Sequence, residues 1–151
     1  GAPAVAGLPL SGPYAGIEWV RRFQRILWSE THAVKPDALV ETQTPNALFH
    51  ESSDVIRLND IWYGTRNVTD VLRLRARIAH ISGWSLVDTD NASSTTLRDW
   101  WAYMQAQPEI GIPALYFVTK TESTQESPSE EQWRALAGLW QEYVVKVKAR
   151  Y

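Results

Sequence analysis

Short apolar segments alternate with longer amphipathic segments along the 151 residues of this chain, and this alternation restricts the fold more than any other feature. Four short segments are predicted as strands: 38–42, 54–58, 85–88 and 114–118. Four longer segments are predicted as helices: 17–34, 67–81, 97–107 and 127–148. Strands that alternate with helices of ten or more residues predict βαβ crossovers and a parallel sheet. We therefore predict one α/β domain with four βα units over residues 17–151 and an irregular lead-in over residues 1–16.

Polar residues mark the ends of two of these helices. Asn67 is predicted to cap the second helix, and Ser82 with Gly83 is predicted to end it. Ser127 and Glu130, with a proline between them at the first helical position, predict a capping box for the last helix. Periodicity alone does not separate an open doubly wound sheet from part of a closed barrel.

The composition excludes several classes of function. The formal charge is -2 and Lys and Arg are scattered, so the chain lacks the basic face that nucleic-acid binding requires. Cysteine is absent, which removes thiolate metal sites and cysteine nucleophiles. Apolar runs fall short of the roughly 18 residues that span a bilayer. His32, His50 and His80 are dispersed, and no glycine-rich phosphate loop follows a strand, so we expect no metal and no other cofactor.

Charged residues stand at the ends of two successive predicted strands. Asp54, Arg57 and Asp60 accompany the second strand, and Asp88 and Asp90 follow the third. In parallel α/β proteins the carboxyl ends of the strands meet at one edge, where active sites are assembled. The pattern therefore predicts the rim of an active site.

These residues resemble a known family of enzymes. The segment Arg57-Leu-Asn-Asp60-Ile and the later segment Trp84-Ser-Leu-Val-Asp88-Thr-Asp90 are similar in type, order and interval to motifs of the α-galactosidase clan of glycoside hydrolases. The resemblance covers about residues 38–118. Two departures are a spacing from arginine to aspartate that is one residue shorter, and a threonine between the two later aspartates where the clan has proline.

The resemblance implies the carboxyl-terminal half of a TIM (β/α)8 barrel and a retaining mechanism, in which two carboxyl groups act on opposite faces of the sugar. Asp60 matches the general acid/base residue, although the choice between Asp60 and Asp54 stays open. Residues 1–17 contain no Asp or Glu that matches the nucleophile. We therefore expect a preceding half-barrel segment or self-association to complete the barrel, and we expect the isolated chain to be inactive.

Further residues are candidates for sugar binding. Glu41 and Gln43, at the end of the first strand, match the positions that select the 2-substituent of the sugar in the resembled clan. Trp62 and Trp84 fall in predicted loops, where an indole ring stacks well on the apolar face of a sugar. Arg57 suits a hydroxyl or carboxylate because its guanidinium is a fixed fork of donors.

Each candidate also has a structural alternative. Asp54, Arg57 and Asp60 are equally explained as members of ion pairs, and Asp88 with Asp90 as a loop that caps the next helix. Four tryptophans within helices are predicted to pack in the core or between helices: Trp19, Trp28, Trp133 and Trp140. The competing function is therefore an α/β module that binds carbohydrate or protein without catalysis.

Overall fold

A computed structural model describes residues 15–43, 45–58, 67–90, 96–115 and 126–149 of the chain. These residues form a mixed α/β fold. Its helices are α1 (Ala15–Val34), α2 (Val68–Ile81), α3 (Leu97–Ile110) and α4 (Glu130–Lys148), with a 3-10 helix at Ala47–Ser52. Its strands are β1 (Glu41–Gln43), β2 (Val55–Arg57) and β3 (Leu86–Asp88). In the described part of the chain, no helix is long and apolar enough to cross a membrane.

The three strands form a parallel sheet in the order β1-β2-β3, which confirms the predicted strand direction. The fourth predicted strand is not confirmed, since residues 114–115 are not in a strand and residues 116–118 lie outside the described residues. The next parallel contact beyond β3 is a single bridge between Asp88 and Ile112. Gly111 permits this close approach, because a Cβ atom there would collide with the carbonyl oxygen of Val87. Three strands are therefore shown, and four complete βα units are not.

The register of the sheet separates an apolar face from a polar face. Thr42, Ile56 and Val87 are paired across the strands, and the latter two belong to the same core cluster as residues of α2, α3 and α4. Successive side chains in a strand point to opposite faces. The residues on either side of this row therefore lie on the other face, which we call the polar face because four of its six residues are polar and only Val55 and Leu86 are apolar.

The core lies between the apolar face of the sheet and the helices. Its largest fully buried side chains include Trp100 and Tyr103 of α3 and Leu72 of α2, and Leu136 of α4 also belongs to it. Trp101 is only partly buried, as expected for two adjacent helical residues that cannot face the same way.

Trp133 and Trp140 of α4 pack against this core, which confirms their predicted role. The Trp133 ring meets the Trp100 ring edge to face, with 5.5 Å between the ring centroids. An edge-to-face arrangement is the favourable geometry for two aromatic quadrupoles. The contact therefore helps to fix α4 on α3.

The last helix begins two residues later than the sequence predicted. The capping box is formed by Ser129 and Gln132, not by Ser127 and Glu130: the Ser129 hydroxyl accepts from the backbone N–H of Gln132, and the Gln132 side chain accepts from the backbone N–H of Ser129. Both serines have a suitable residue three positions later, so the sequence alone did not distinguish them. Pro128 consequently precedes the helix.

The cap predicted for α2 is also wrong in its chemistry. Asn67 is at the predicted position but has a left-handed backbone with φ of 60° and makes no side-chain cap bond. Its carbonyl oxygen instead accepts from the backbone N–H groups of Asp70 and Val71. The predicted end is confirmed, since α2 stops at Ile81 and Gly83 follows with φ of 108°. The 3-10 helix lies between the first two predicted strands, where the sequence predicted neither a helix nor a strand.

Candidate functional site

Polar side chains converge at the carboxyl ends of the three strands. Gln43, Arg57 and Asp88 are paired across β1, β2 and β3, so they lie on the polar face at the same level of the sheet. Glu41 begins β1 and does not end it as predicted, but it lies on this face two residues before Gln43 and its side chain contacts Asp88. Together with Asp90, which follows β3, we call these five residues the carboxyl-edge cluster.

Asp90 fixes the position of Arg57. The Asp90 carboxylate is 1 % exposed, and its Oδ1 atom accepts from Nε of Arg57 at 2.8 Å and from Nη2 at 2.5 Å. Two charge-assisted hydrogen bonds to one guanidinium constrain its plane. The Asp88 Oδ1 atom in turn accepts from the backbone N–H of Asp90 at 2.6 Å, which stabilises the turn where Asp90 has φ of 67°.

A buried polar network beneath the sheet edge supports this turn. The Tyr103 hydroxyl lies 2.9 Å from the carbonyl oxygen of Thr89 and also contacts the carbonyl oxygen of Asp90. Gln107, which is fully buried, accepts from the Thr89 hydroxyl at 2.7 Å and from the backbone N–H of Ala114. Buried polar groups that are fully hydrogen-bonded specify a rigid local structure. Sequence reasoning missed this network, whose only signal was two polar side chains on the apolar face of α3.

The electrostatics of the cluster favour one neutral carboxyl group. Partial burial of its carboxyl group raises the pKa of Glu41, although the residue as a whole is exposed. The charge of Asp88 and a hydrogen bond between the two side chains raise it further, and Arg57 opposes these effects. A carboxyl group beside a carboxylate holds its proton because two like charges in contact repel. These effects all favour retention of a proton by Glu41 in its contact with Asp88.

The cluster offers hydrogen-bond donors and acceptors side by side. Arg57 donates, the Asp88 carboxylate accepts, Glu41 donates when it carries a proton, and the Gln43 amide does both. A sugar hydroxyl is itself both donor and acceptor, so adjacent hydroxyls fit such a surface. A carboxyl group with a raised pKa beside a carboxylate is also the combination that general acid catalysis uses.

Asp54 belongs to the opposite edge of the sheet. It precedes β2, about 10 Å along the strand from Arg57 at the usual rise per residue. Its Oδ2 atom accepts from the backbone N–H of Val40 at 2.8 Å and lies 2.9 Å from Nε2 of His32, while Oδ1 accepts from the Trp28 indole at 3.1 Å. The structure therefore separates Asp54 from the carboxyl-edge cluster with which the sequence grouped it.

Trp84, one of the two tryptophans expected to stack on sugar, lies in the core. Its side chain is 3 % exposed, its indole N–H donates to the carbonyl oxygen of Ser53 at 3.2 Å, and the His50 ring meets its ring edge to face. Trp84 does lie in the connection between α2 and β3, as predicted, but a ring this buried presents no face on which a sugar could stack. Asp60 and Trp62 lie outside the described residues.

Searches for relatives found no matching family model, no matching curated protein and no matching solved structure. The resemblance to the α-galactosidase clan thus depends on the motif residues alone. Among the residues that the structure describes, no group of three or more histidines and acidic residues is placed to hold a metal ion.

Proposed function

We propose that this chain is part of a glycoside hydrolase and that the carboxyl-edge cluster binds its saccharide. The observation that carries the proposal is the placement of Glu41, Arg57 and Asp88 on one face of a parallel sheet, at or near the strand ends. A parallel sheet with helices packed on one face and polar strand ends on the other is what one segment of a (β/α)8 barrel presents.

In the proposed reaction, an α-glycosidic bond is cleaved with retention of configuration. A nucleophilic carboxylate from a preceding segment or a partner chain attacks the anomeric carbon, and the bond to the leaving oxygen breaks as Asp60 gives that oxygen its proton. Water then attacks the glycosyl-enzyme, and Asp60 takes the proton of that water. Asp60 follows Arg57 by three residues in the sequence.

The cluster has a binding role in this scheme. Arg57, held by Asp90, donates to one sugar hydroxyl, and the Asp88 carboxylate accepts from a neighbouring hydroxyl. Glu41, whose pKa is raised by burial and by Asp88, and Gln43 bind the 2-substituent. These contacts fix the sugar ring relative to the two reacting carboxyl groups, which lowers the entropic part of the barrier.

The test is hydrolysis of aryl α-galactosides by the purified full-length protein. We expect Asp60→Asn to lower kcat by at least a factor of 100, in the range that loss of a general acid produces. We expect Asp88→Asn to act mainly on KM. Asp37→Asn, an exposed aspartate in the turn after α1, is the matched control. Activity that survives Asp60→Asn unchanged contradicts the assignment of the acid.

The second candidate function is a non-catalytic α/β module that binds carbohydrate. It is favoured by the two ion pairs, Asp54 with His32 and Arg57 with Asp90, in which expected ligand-binding groups are used within the fold. Titration of the protein with galactose by NMR separates the two candidates. Shifts at Gln43 and Asp88 without hydrolysis of any aryl glycoside support the binding module.

A further inference from the structure

His32, near the end of α1, contacts two acceptors at once. Its Nδ1 atom lies 3.0 Å from the carbonyl oxygen of Pro36, and its Nε2 atom lies 2.9 Å from Oδ2 of Asp54. A carbonyl oxygen only accepts, so Nδ1 carries a hydrogen. The Asp54 oxygen already accepts from the backbone N–H of Val40, as a carboxylate does, so Nε2 carries one as well.

A histidine with hydrogens on both ring nitrogens is an imidazolium cation. Its surroundings favour this charge, because the Trp28 ring centroid lies 4.5 Å from the His32 ring centroid and an aromatic ring attracts a nearby cation. The hydrogen bond to Asp54, followed by that to Pro36, raises the pKa of His32. For Asp54, burial raises the pKa, but the hydrogen bonds from Val40, His32 and Trp28 outweigh burial and lower it.

The other charged groups around His32 are few and mostly compensated. In the turn after α1, Lys35 and Asp37 flank Pro36 with opposite charges. On the 3-10 helix packed against α1, Glu51 faces Arg21 at 3.5 Å. Further groups on these two elements are Glu30 and Arg25 of α1 and His50 of the 3-10 helix. Asp54 is the one charge that acts on His32 directly among the described residues.

We propose that the His32–Asp54 pair is a proton-dependent link that holds the end of α1 on the sheet and releases it when His32 loses one ring proton. A neutral imidazole has one N–H, so it satisfies either Pro36 or Asp54 and leaves the other contact without its hydrogen. Asp54 follows β1 in the chain, and it also accepts from the backbone N–H of Val40, which precedes β1. The link therefore joins α1 to the chain on both sides of β1.

The link positions the first strand of the sheet. Val40 immediately precedes Glu41, its N–H donates to the Asp54 carboxylate, and its carbonyl oxygen accepts from the backbone N–H groups of Asp54 and Val55. Loosening at Asp54 therefore frees the start of β1, which carries Glu41 and Gln43. The inference does not depend on the proposed function, since the link is a property of the fold.

The directions of the pKa shifts of His32 and Asp54 define the pH range in which the link is formed. The pKa of His32 is raised, so its contribution is complete below the ordinary value of 6.5 and is lost as pH rises through the folded-state pKa. The pKa of Asp54 is lowered, so its contribution is present above the ordinary value of 3.8 and is lost as pH falls through the folded-state pKa. The link is therefore strongest between about pH 4 and 6.5.

The test combines NMR titration of the His32 ring with hydrogen exchange at the Val40 amide in the full chain. We expect His32 to titrate above 6.5, and we expect the protection factor of Val40 to fall as pH rises through that titration. In His32→Gln the side chain keeps one donor that does not titrate, so the protection of Val40 should no longer depend on pH. In Asp54→Asn the pKa of His32 should fall toward its ordinary value.

His50→Gln is the matched control, since it removes an exposed histidine that belongs to the neighbouring 3-10 helix. This variant should retain the pH dependence of the wild-type protein. A His32 that titrates at or below 6.5 overturns the proposal, as does a Val40 amide whose protection changes with pH equally in the wild type and in His32→Gln. If a variant does not fold, the titration of His32 in the wild-type protein is sufficient to support or overturn the proposed link.

Discussion

The two edges of the parallel sheet use acidic residues in opposite ways. At the amino edge, Asp54 is surrounded by donors from α1 and from the start of β1, and its charge is matched by His32. At the carboxyl edge, Glu41 and Asp88 contact each other, and the cluster that they share with Asp90 contains one arginine. The role of an acidic residue in this sheet is therefore set by the donors around it.

The difference has an energetic meaning. The amino edge is arranged for stability, because each carboxylate oxygen of Asp54 has at least one donor. The carboxyl edge is less favourable to charge, because burial and the charge of Asp88 raise the pKa of Glu41 and so disfavour its ionisation. Groups whose ionisation is disfavoured by their surroundings concentrate at functional sites. The raised pKa of Glu41 therefore supports the proposed saccharide site on the polar face.

The largest expected effect tests the support of the carboxyl edge. Gln107→Leu leaves the buried N–H of Ala114 without its acceptor, whereas the Thr89 hydroxyl still has the carbonyl oxygen of Ile112, so we expect the free energy of unfolding to fall by about 1–3 kcal/mol. Urea denaturation measures the change. Gln105→Leu, an exposed glutamine on the same helix, is the control and should change stability little. Equal effects of the two variants contradict a supporting role for the network.

An intermediate effect tests the amino edge. Asp54→Ala removes the acceptor of three donors at a half-buried site, and we expect the free energy of unfolding to fall by about 1–2 kcal/mol at pH 6. The difference from wild type should shrink as pH falls through the lowered pKa of Asp54, because the wild-type protein loses the same contribution. Asp37→Ala is the control, and a pH-independent loss in Asp54→Ala argues against the charged role of Asp54.

The smallest effect has the opposite sign. The raised pKa of Glu41 means that its contribution to stability is complete below the ordinary value of 4.5 and is lost as pH rises through the folded-state pKa. Glu41→Gln removes the group that ionises, so this variant should be slightly more stable than wild type near pH 7 and equal to it near pH 4. Denaturation at the two pH values measures the difference. A variant that is less stable at pH 7 shows that Glu41 is held as a carboxylate.

The helices and the direction of the strands were predictable because their signals are local. The amphipathic periods of α1 and α2 and the apolar runs of β2 and β3 placed these elements within a few residues. Predictions failed where two local choices were equivalent, as with Ser127 and Ser129 at the start of α4. The burial of Trp84 was missed because the residues next to an aromatic side chain in a loop do not indicate whether it faces water or the core.

The grouping of charged residues was predictable in part. Arg57, Asp88 and Asp90 do meet at the carboxyl edge, as the rule for parallel strands predicts. Asp54 was grouped with them because it is three residues from Arg57 in sequence, although three residues along a strand separate opposite edges. The partners His32 and Tyr103 were missed, since each lies more than ten residues from its acceptor.

The order of residues by itself determined that this chain alternates helices with parallel strands and carries acidic groups at the strand ends, because those properties depend on neighbours in sequence. Which acidic residue contacts a cation, as Asp54 does, and which contacts another acidic residue, as Glu41 does, depends on the tertiary structure. Hydrogen bonds and charge repulsion act across a few ångströms of space. Folding brings together His32 and Asp54, which are 22 residues apart in the chain, and Glu41 and Asp88, which belong to β1 and β3.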